Sequence, residues 1–122
     1  MATSRATGDR IEVLQGTLAL LILQTLQHKP LHGYAIAQAI RLRSREVLQI
    51  DTGALYPALH RLEKERAVTA AWTVADDTGQ RIRVYRLTAR GRRRLTDEHS
   101  RWRRMSEAMA AVLAPPLEEH KS

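Results

Sequence analysis

The hydrophobic period changes twice along this chain, and those two changes leave few folds open to it. As far as Lys64 the apolar residues recur every three to four positions; in Val68 to Val74 and again in Arg81 to Leu87 they recur every second position; beyond Thr88 the helical spacing returns. Asp76-Asp77-Thr78-Gly79 supplies turn residues between the two alternating runs, so they read as a hairpin. The expected fold is mainly α with one β-hairpin (α+β). With 122 residues the chain has room for one compact domain and not for two ordinary ones.

The first helical stretch, Ile11 to Leu26, is apolar on nearly every side through Ile11, Val13, Leu14, Leu18, Leu20, Leu21, Ile22, Leu23 and Leu26. Such a helix must be covered on more than one face. A central position in a monomer and contact with a second chain both satisfy that requirement. Pro30 and Gly33 end it in a turn. His28 and His32 are four apart, but Pro30 between them argues against the helix that would make them chelate, so no metal is expected. A second helix follows from Gly33 to Arg43, with Tyr34, Ile36, Ala37, Ile40 and Leu42 as its contacts.

A third helix is expected over Asp51 to Glu65. Leu55, Ala58, Leu59 and Leu62 line its back, and Tyr56, His60, Arg61 and Lys64 give it a basic, aromatic front. Asp51 or Thr52 can cap its first amides, and Gly53 leaves that end open to a ligand backbone, an arrangement that suits phosphate. Pro57 predicts an irregular start, with a carbonyl freed near Gly53. Taken alone, this stretch also fits an ordinary amphipathic surface helix.

In the hairpin, Val68, Ala70, Trp72 and Val74 alternate with smaller polar or short residues, and Tyr85 and Leu87 are expected to turn inward with Trp72 or its neighbours. Arg81, Arg83 and Arg86 make the far strand basic. The last helix runs from Ala89 to about Leu113, capped by Thr88 and stopped by Pro115-Pro116. Leu95, Trp102 and Met109 repeat every seven residues, with Met105 and Val112 interleaved, a stripe suited to a partner helix or to folding back on its own domain. The division expected is an N-terminal arm over 1–9, a helical domain with its hairpin over 10–87, the C-terminal helix over 88–114 and a flexible tail over 115–122.

Three helices and a hairpin in this order form a winged helix-turn-helix, in which the third helix enters the major groove of DNA and the hairpin flanks it. Twenty Lys and Arg against thirteen Asp and Glu, a net charge of +7, favour a polyanionic partner. The lack of cysteine rules out disulfides, thiolate metal sites and cysteine nucleophiles. The polar start and the absence of a bilayer-length apolar run point to a cytoplasmic protein. No nucleophile, carboxylate pair or glycine-rich phosphate loop stands in a recognisable arrangement, so neither an enzyme nor a cofactor is expected. Besides sequence-specific DNA binding, a winged-helix module for protein or RNA remains open; the basic front of the third helix discriminates against it.

Several motifs coincide: Gly16-Thr17-Leu18, His32-Gly33-Tyr34, Gly53-Ala54-Leu55-Tyr56-Pro57-Ala58-Leu59 with Arg61-Leu62-Glu63, Tyr85-Arg86-Leu87-Thr88-Ala89-Arg90-Gly91, and Trp102. In order and spacing, from about Gln15 to Leu113, the set resembles the PadR family of bacterial transcriptional regulators, in its short branch with a single C-terminal helix. The resemblance implies a homodimeric repressor on a near-palindromic operator. Tyr34, Thr52, Gly53, Tyr56, His60, Arg61 and Lys64 would then meet DNA, with Arg81 and Arg83 on the wing. Leu14, Leu18 and Leu21 of the first helix, and Leu95, Trp102, Met105, Met109 and Val112 of the last, would pack between subunits. Some members of the family hold flat aromatic ligands between the subunits against a tryptophan, and Trp102 matches that position. Three departures stand out: Arg66 where the family ends its recognition helix with glycine, Val84 where a second aromatic is common, and the acid Asp51 at the phosphate-facing end.

Overall fold

The structure, a computed structural model, describes residues 11–12 and 15–116. The expected arm over 1–9, Leu14, and residues 117–122 of the expected tail lie outside the described residues. The described elements are β1 (Ile11–Glu12), α1 (Gln15–His28), β2 (Leu31–His32), α2 (Gly33–Arg43), β3 (Leu48–Gln49), α3 (Thr52–Lys64), β4 (Val68–Val74), β5 (Arg81–Leu87) and α4 (Ala89–Leu113). The expected helix start at Ile11 is corrected: Ile11 and Glu12 pair in parallel with Leu48 and Gln49. A short run preceding a helix thus satisfies its backbone on the linker ahead of α3.

The core joins Leu18, Ile22, Leu23 and Leu26 of α1 to Ile36 and Ile40 of α2, to Leu55, Leu59 and Leu62 of α3, and to Val68, Tyr85 and Leu87 of the sheet. From Leu18 to Leu26 the apolar character of α1 is therefore largely absorbed within one subunit. Leu18, expected between subunits, is 1% exposed, and the half-buried Leu21 keeps part of its surface outward. Leu95 is also buried in this core, through the packing of the start of α4 on α1. The next two turns of the stripe are not covered: Trp102, Met105, Met109 and Val112 are exposed. The first turns of the last helix thus fold back on their own domain, and its second half stands free of the subunit.

The wing is the antiparallel pair β4 and β5, in register from Val68↔Leu87 to Val74↔Arg81, and β2 adds a third strand beside β5. Tyr85 and Leu87 turn inward as expected, but Trp72 and Val74 do not, each being 58% exposed. The hairpin outruns the core beyond Ala70, so alternation there distinguishes two exposed faces.

Two helix ends use left-handed residues without glycine. After α2, Arg45 and Glu46 have φ of 57° and 69°, and the amides of Arg45 and Glu46 return to the carbonyls of Leu42 and Arg41. After α3, Arg66 has φ of 65°, its amide returns to Glu63 and that of Ala67 to Leu62. The Schellman geometry is kept although its usual glycine is missing.

Candidate nucleic-acid interface

The front of α3 is open. Asp51 caps the helix by accepting a 3.3 Å hydrogen bond from the Gly53 amide, so its carboxylate is engaged with the helix start. Pro57 stands in the sixth position of an uninterrupted helix, correcting the irregular start expected there. Leu55, Ala58, Leu59 and Leu62 are buried behind, and Thr52, Gly53, Tyr56, His60, Arg61 and Lys64 are all exposed on the outer side. One aromatic ring and three basic side chains thus share a convex helix face, a shape and charge that fit a DNA groove.

His32-Gly33-Tyr34 supports that face, each residue in a different way. His32 caps α2, its Nδ1 accepting from the Ala35 amide at 3.2 Å. Gly33 is buried under the Tyr56 ring, where a Cβ would come within 2.6 Å of Cε1 and 2.8 Å of the hydroxyl oxygen. Tyr34 and Leu42, both expected as packing contacts of α2, are instead 61% and 57% exposed, the Tyr34 hydroxyl accepting from Gln38 Nε2 at 2.7 Å. Tyr34 and Tyr56 lie on one wall of a cleft of ≈ 460 Å³, and Trp72, Arg81, Arg83 and Tyr85 of the wing lie on the other.

The two wing arginines expected at DNA differ. The exposed Arg81 lays its guanidinium over the Trp72 ring, 4.7 Å from the centroid. Arg83 is turned back into an ion pair, Nη2 to Glu63 Oε2 at 2.7 Å, with the Trp72 and Tyr85 centroids 5.9 and 6.0 Å away. Burial pushes the Tyr85 hydroxyl above its ordinary pKa because the phenolate would lose its hydration, and Arg83 works in the opposite sense without cancelling it. Among the described residues no cluster of His, Asp and Glu could hold a metal ion, and no helix is long and apolar enough to cross a membrane.

Comparison with known proteins bears directly on this arrangement. Residues 22–97 match the Transcriptional regulator PadR-like family. The chain belongs to that family. This PadR-like regulator is 34% identical over 87 residues to the transcriptional regulator Rv3488 of Mycobacterium tuberculosis, covering 71% of this chain and 77% of that one. A PadR family transcription regulator from Clostridium difficile is similar at 28% identity with a TM-score of 0.67, covering 80% of this chain and 99% of that chain. A transcriptional regulator from Clostridium thermocellum shares the fold with a TM-score of 0.75 at 24% identity, covering 82% of this chain and 96% of that chain. The winged helix described above is therefore that of a DNA-binding transcriptional regulator. The Glu63–Arg83 pair and the seat of Tyr56 on Gly33 were missed in the sequence. A glycine opening a helix and an acid beside the basic front were the available signals.

Proposed function

We propose that this PadR-like regulator is a homodimeric repressor whose two α3 faces enter successive major grooves of a near-palindromic operator. The observation that carries the reading is the exposed front of α3, with Tyr56, His60, Arg61 and Lys64 on one side of a helix whose other side is wholly buried. Thr52 and Gly53 approach the backbone at the helix start, Tyr34 contributes a hydroxyl from α2, and Arg81 a cation from the wing. The second half of α4 supplies the joint. Trp102, Met105, Met109 and Val112 are 46%, 56%, 55% and 82% exposed, a density of apolar surface that favours a second helix of the same kind. Leu21, half-buried on α1, adds apolar surface of its own to the joint, while Leu18 and Leu95 lie within the subunit's core. Trp102 also presents a ring face on which a flat aromatic effector can stack at the seam and relieve repression.

The test is titration of the duplex upstream of the protein's own gene at several salt concentrations, with sedimentation run in parallel. Operator affinity should fall steeply with salt, and Tyr56→Ala should weaken binding while leaving a two-subunit mass. Salt-independent binding, or loss of the dimer in Tyr56→Ala, overturns the reading. Quenching of Trp102 in a Trp72→Phe background by aromatic compounds tests the effector; a signal unmoved across such compounds removes that part.

A further inference from the structure

The wing carries two arginines two residues apart, and only one of them is free to meet a ligand. Arg83 has its guanidinium drawn onto Glu63 of α3 and flanked by the rings of Trp72 and Tyr85. Its side chain is 34% exposed and that of Glu63 30%, and its Nε is buried with no hydrogen-bond partner among the described residues. The same Trp72 ring bears Arg81 on the exposed strand end. One indole is therefore shared by a cation tied to the recognition helix and a cation on the outer wing.

Resting on the operator-binding reading above, we propose that the Glu63–Arg83 pair sets the angle between wing and recognition helix, and through Trp72 aims Arg81 at the DNA backbone. Arg83 is a positioning residue and Arg81 is the contact. Glu63 stands at the edge of the α3 front, on the side of the wing, where an unpaired carboxylate would repel phosphate. Paired with Arg83, it ties α3 to the middle of β5, beyond the point where Leu59 and Leu62 pack against the base of the sheet. A two-stranded ribbon that projects beyond its core is free to bend, and a charge-assisted bond near its middle limits that freedom.

The two roles possible for Arg83 predict opposite signs for Glu63→Gln. If Arg83 were itself a phosphate contact competing with Glu63, the substitution would release it, tighten operator binding and steepen the salt dependence. If the pair aims Arg81, the substitution weakens binding roughly tenfold and flattens the slope of log K against log salt by up to about 0.9 per subunit, although it removes a negative charge. Operator titrations of wild type, Glu63→Gln, Arg81→Gln and the double variant decide between them. The expected result is that Arg81→Gln flattens the slope by the same amount and that Glu63→Gln adds nothing to it. Tighter binding by Glu63→Gln, an unchanged slope in Arg81→Gln, or additive losses in the double variant overturn the proposal; additivity is what a merely structural pair would give. Salt-independent binding by the wild type would instead overturn operator recognition itself. Arg83→Gln is a secondary check, and should it fail to fold, Glu63→Gln decides alone because it leaves the guanidinium between its two rings.

Discussion

Replacing Gly33 by alanine sets a favourable change in the chain against an unfavourable contact in the fold, and the structure says which prevails. Gly33 opens α2, where alanine in place of glycine is worth about 0.5–1 kcal/mol to a helix. The added Cβ, however, would lie 2.6 Å from Tyr56 Cε1 and 2.9 Å from Cζ, so the ring must withdraw by about 1 Å to reach ordinary contact. The ring is 41% exposed and can swing outward, which relieves the overlap at the expense of its packing. An aromatic side chain of this kind covers 150 Å² or more, so uncovering about 100 Å² costs about 2.5 kcal/mol. Gly33→Ala should therefore destabilise by about 1.5–2 kcal/mol, and it should weaken operator binding by moving Tyr56 out of line. Urea unfolding in two backgrounds isolates the cause. With Tyr56→Ala already present the overlap is gone, and Gly33→Ala should become neutral or stabilising by about 0.5–1 kcal/mol. Equal destabilisation in both backgrounds would refute the claim that the tyrosine ring is what requires glycine.

Other substitutions test other joints. Gly91→Ala places a Cβ against the Ala67 carbonyl oxygen and 2.7 Å from Leu87 Cδ1. Backbone cannot swing aside, so a loss of about 2–3 kcal/mol in urea unfolding is expected despite the better helix propensity of alanine. Arg66→Gly should raise stability by about 1 kcal/mol, because a left-handed residue at φ of 65° costs less without a Cβ; a drop would show that the Arg66 side chain holds the turn. Tyr85 has a folded pKa above its unfolded value near 10, so its contribution is fully present below that pH and is lost as pH rises through the folded pKa. Tyr85→Phe should accordingly lose less stability than wild type between neutral and strongly alkaline pH. Trp102→Ala with Met109→Ala should bring the sedimenting mass down to one subunit while leaving secondary structure unchanged by circular dichroism, since neither side chain is in the subunit's core.

The elements were legible where the period was long and the caps were explicit. Gly33–Arg43 and the last helix, Ala89–Leu113, were readable to the residue, because Pro30, Thr88 and Pro115-Pro116 bracket them. The two-residue strands were not, since β1, β2 and β3 have no period to detect and exist only through distant partners such as Leu48 for Ile11 and Tyr85 for Leu31. Alternation misled at Trp72, where the hairpin had already left the core. The front of α3 was readable because its burial follows from helical spacing alone. The fate of Arg83 was not: position on a strand does not say whether a cation faces solvent or, as here, a carboxylate twenty residues earlier.

Recognition helix, wing and C-terminal helix converge on one backbone carbonyl. Ala67 ends the Schellman turn after α3, and its oxygen accepts from the Thr88 amide at 3.1 Å and lies 3.0 Å from the Thr88 hydroxyl oxygen. The same hydroxyl lies 2.7 Å from the Arg66 carbonyl and accepts from the Gly91 amide at 2.9 Å, which fixes the first turn of α4. Gly91 is buried against Ala67 with no room for a Cβ, and Arg94 of α4 pairs with Glu65 at the end of α3. Hydrogen bonds, close packing and an ion pair all bridge the same few residues, so α4 cannot rotate about its first turn without pulling on the end of α3. Whatever joins the free half of α4 to another chain therefore also constrains the direction in which Tyr56 and Lys64 point. In the proposed dimer, a rigid joint of this kind would convert the spacing between the two α4 helices into the spacing between two recognition faces.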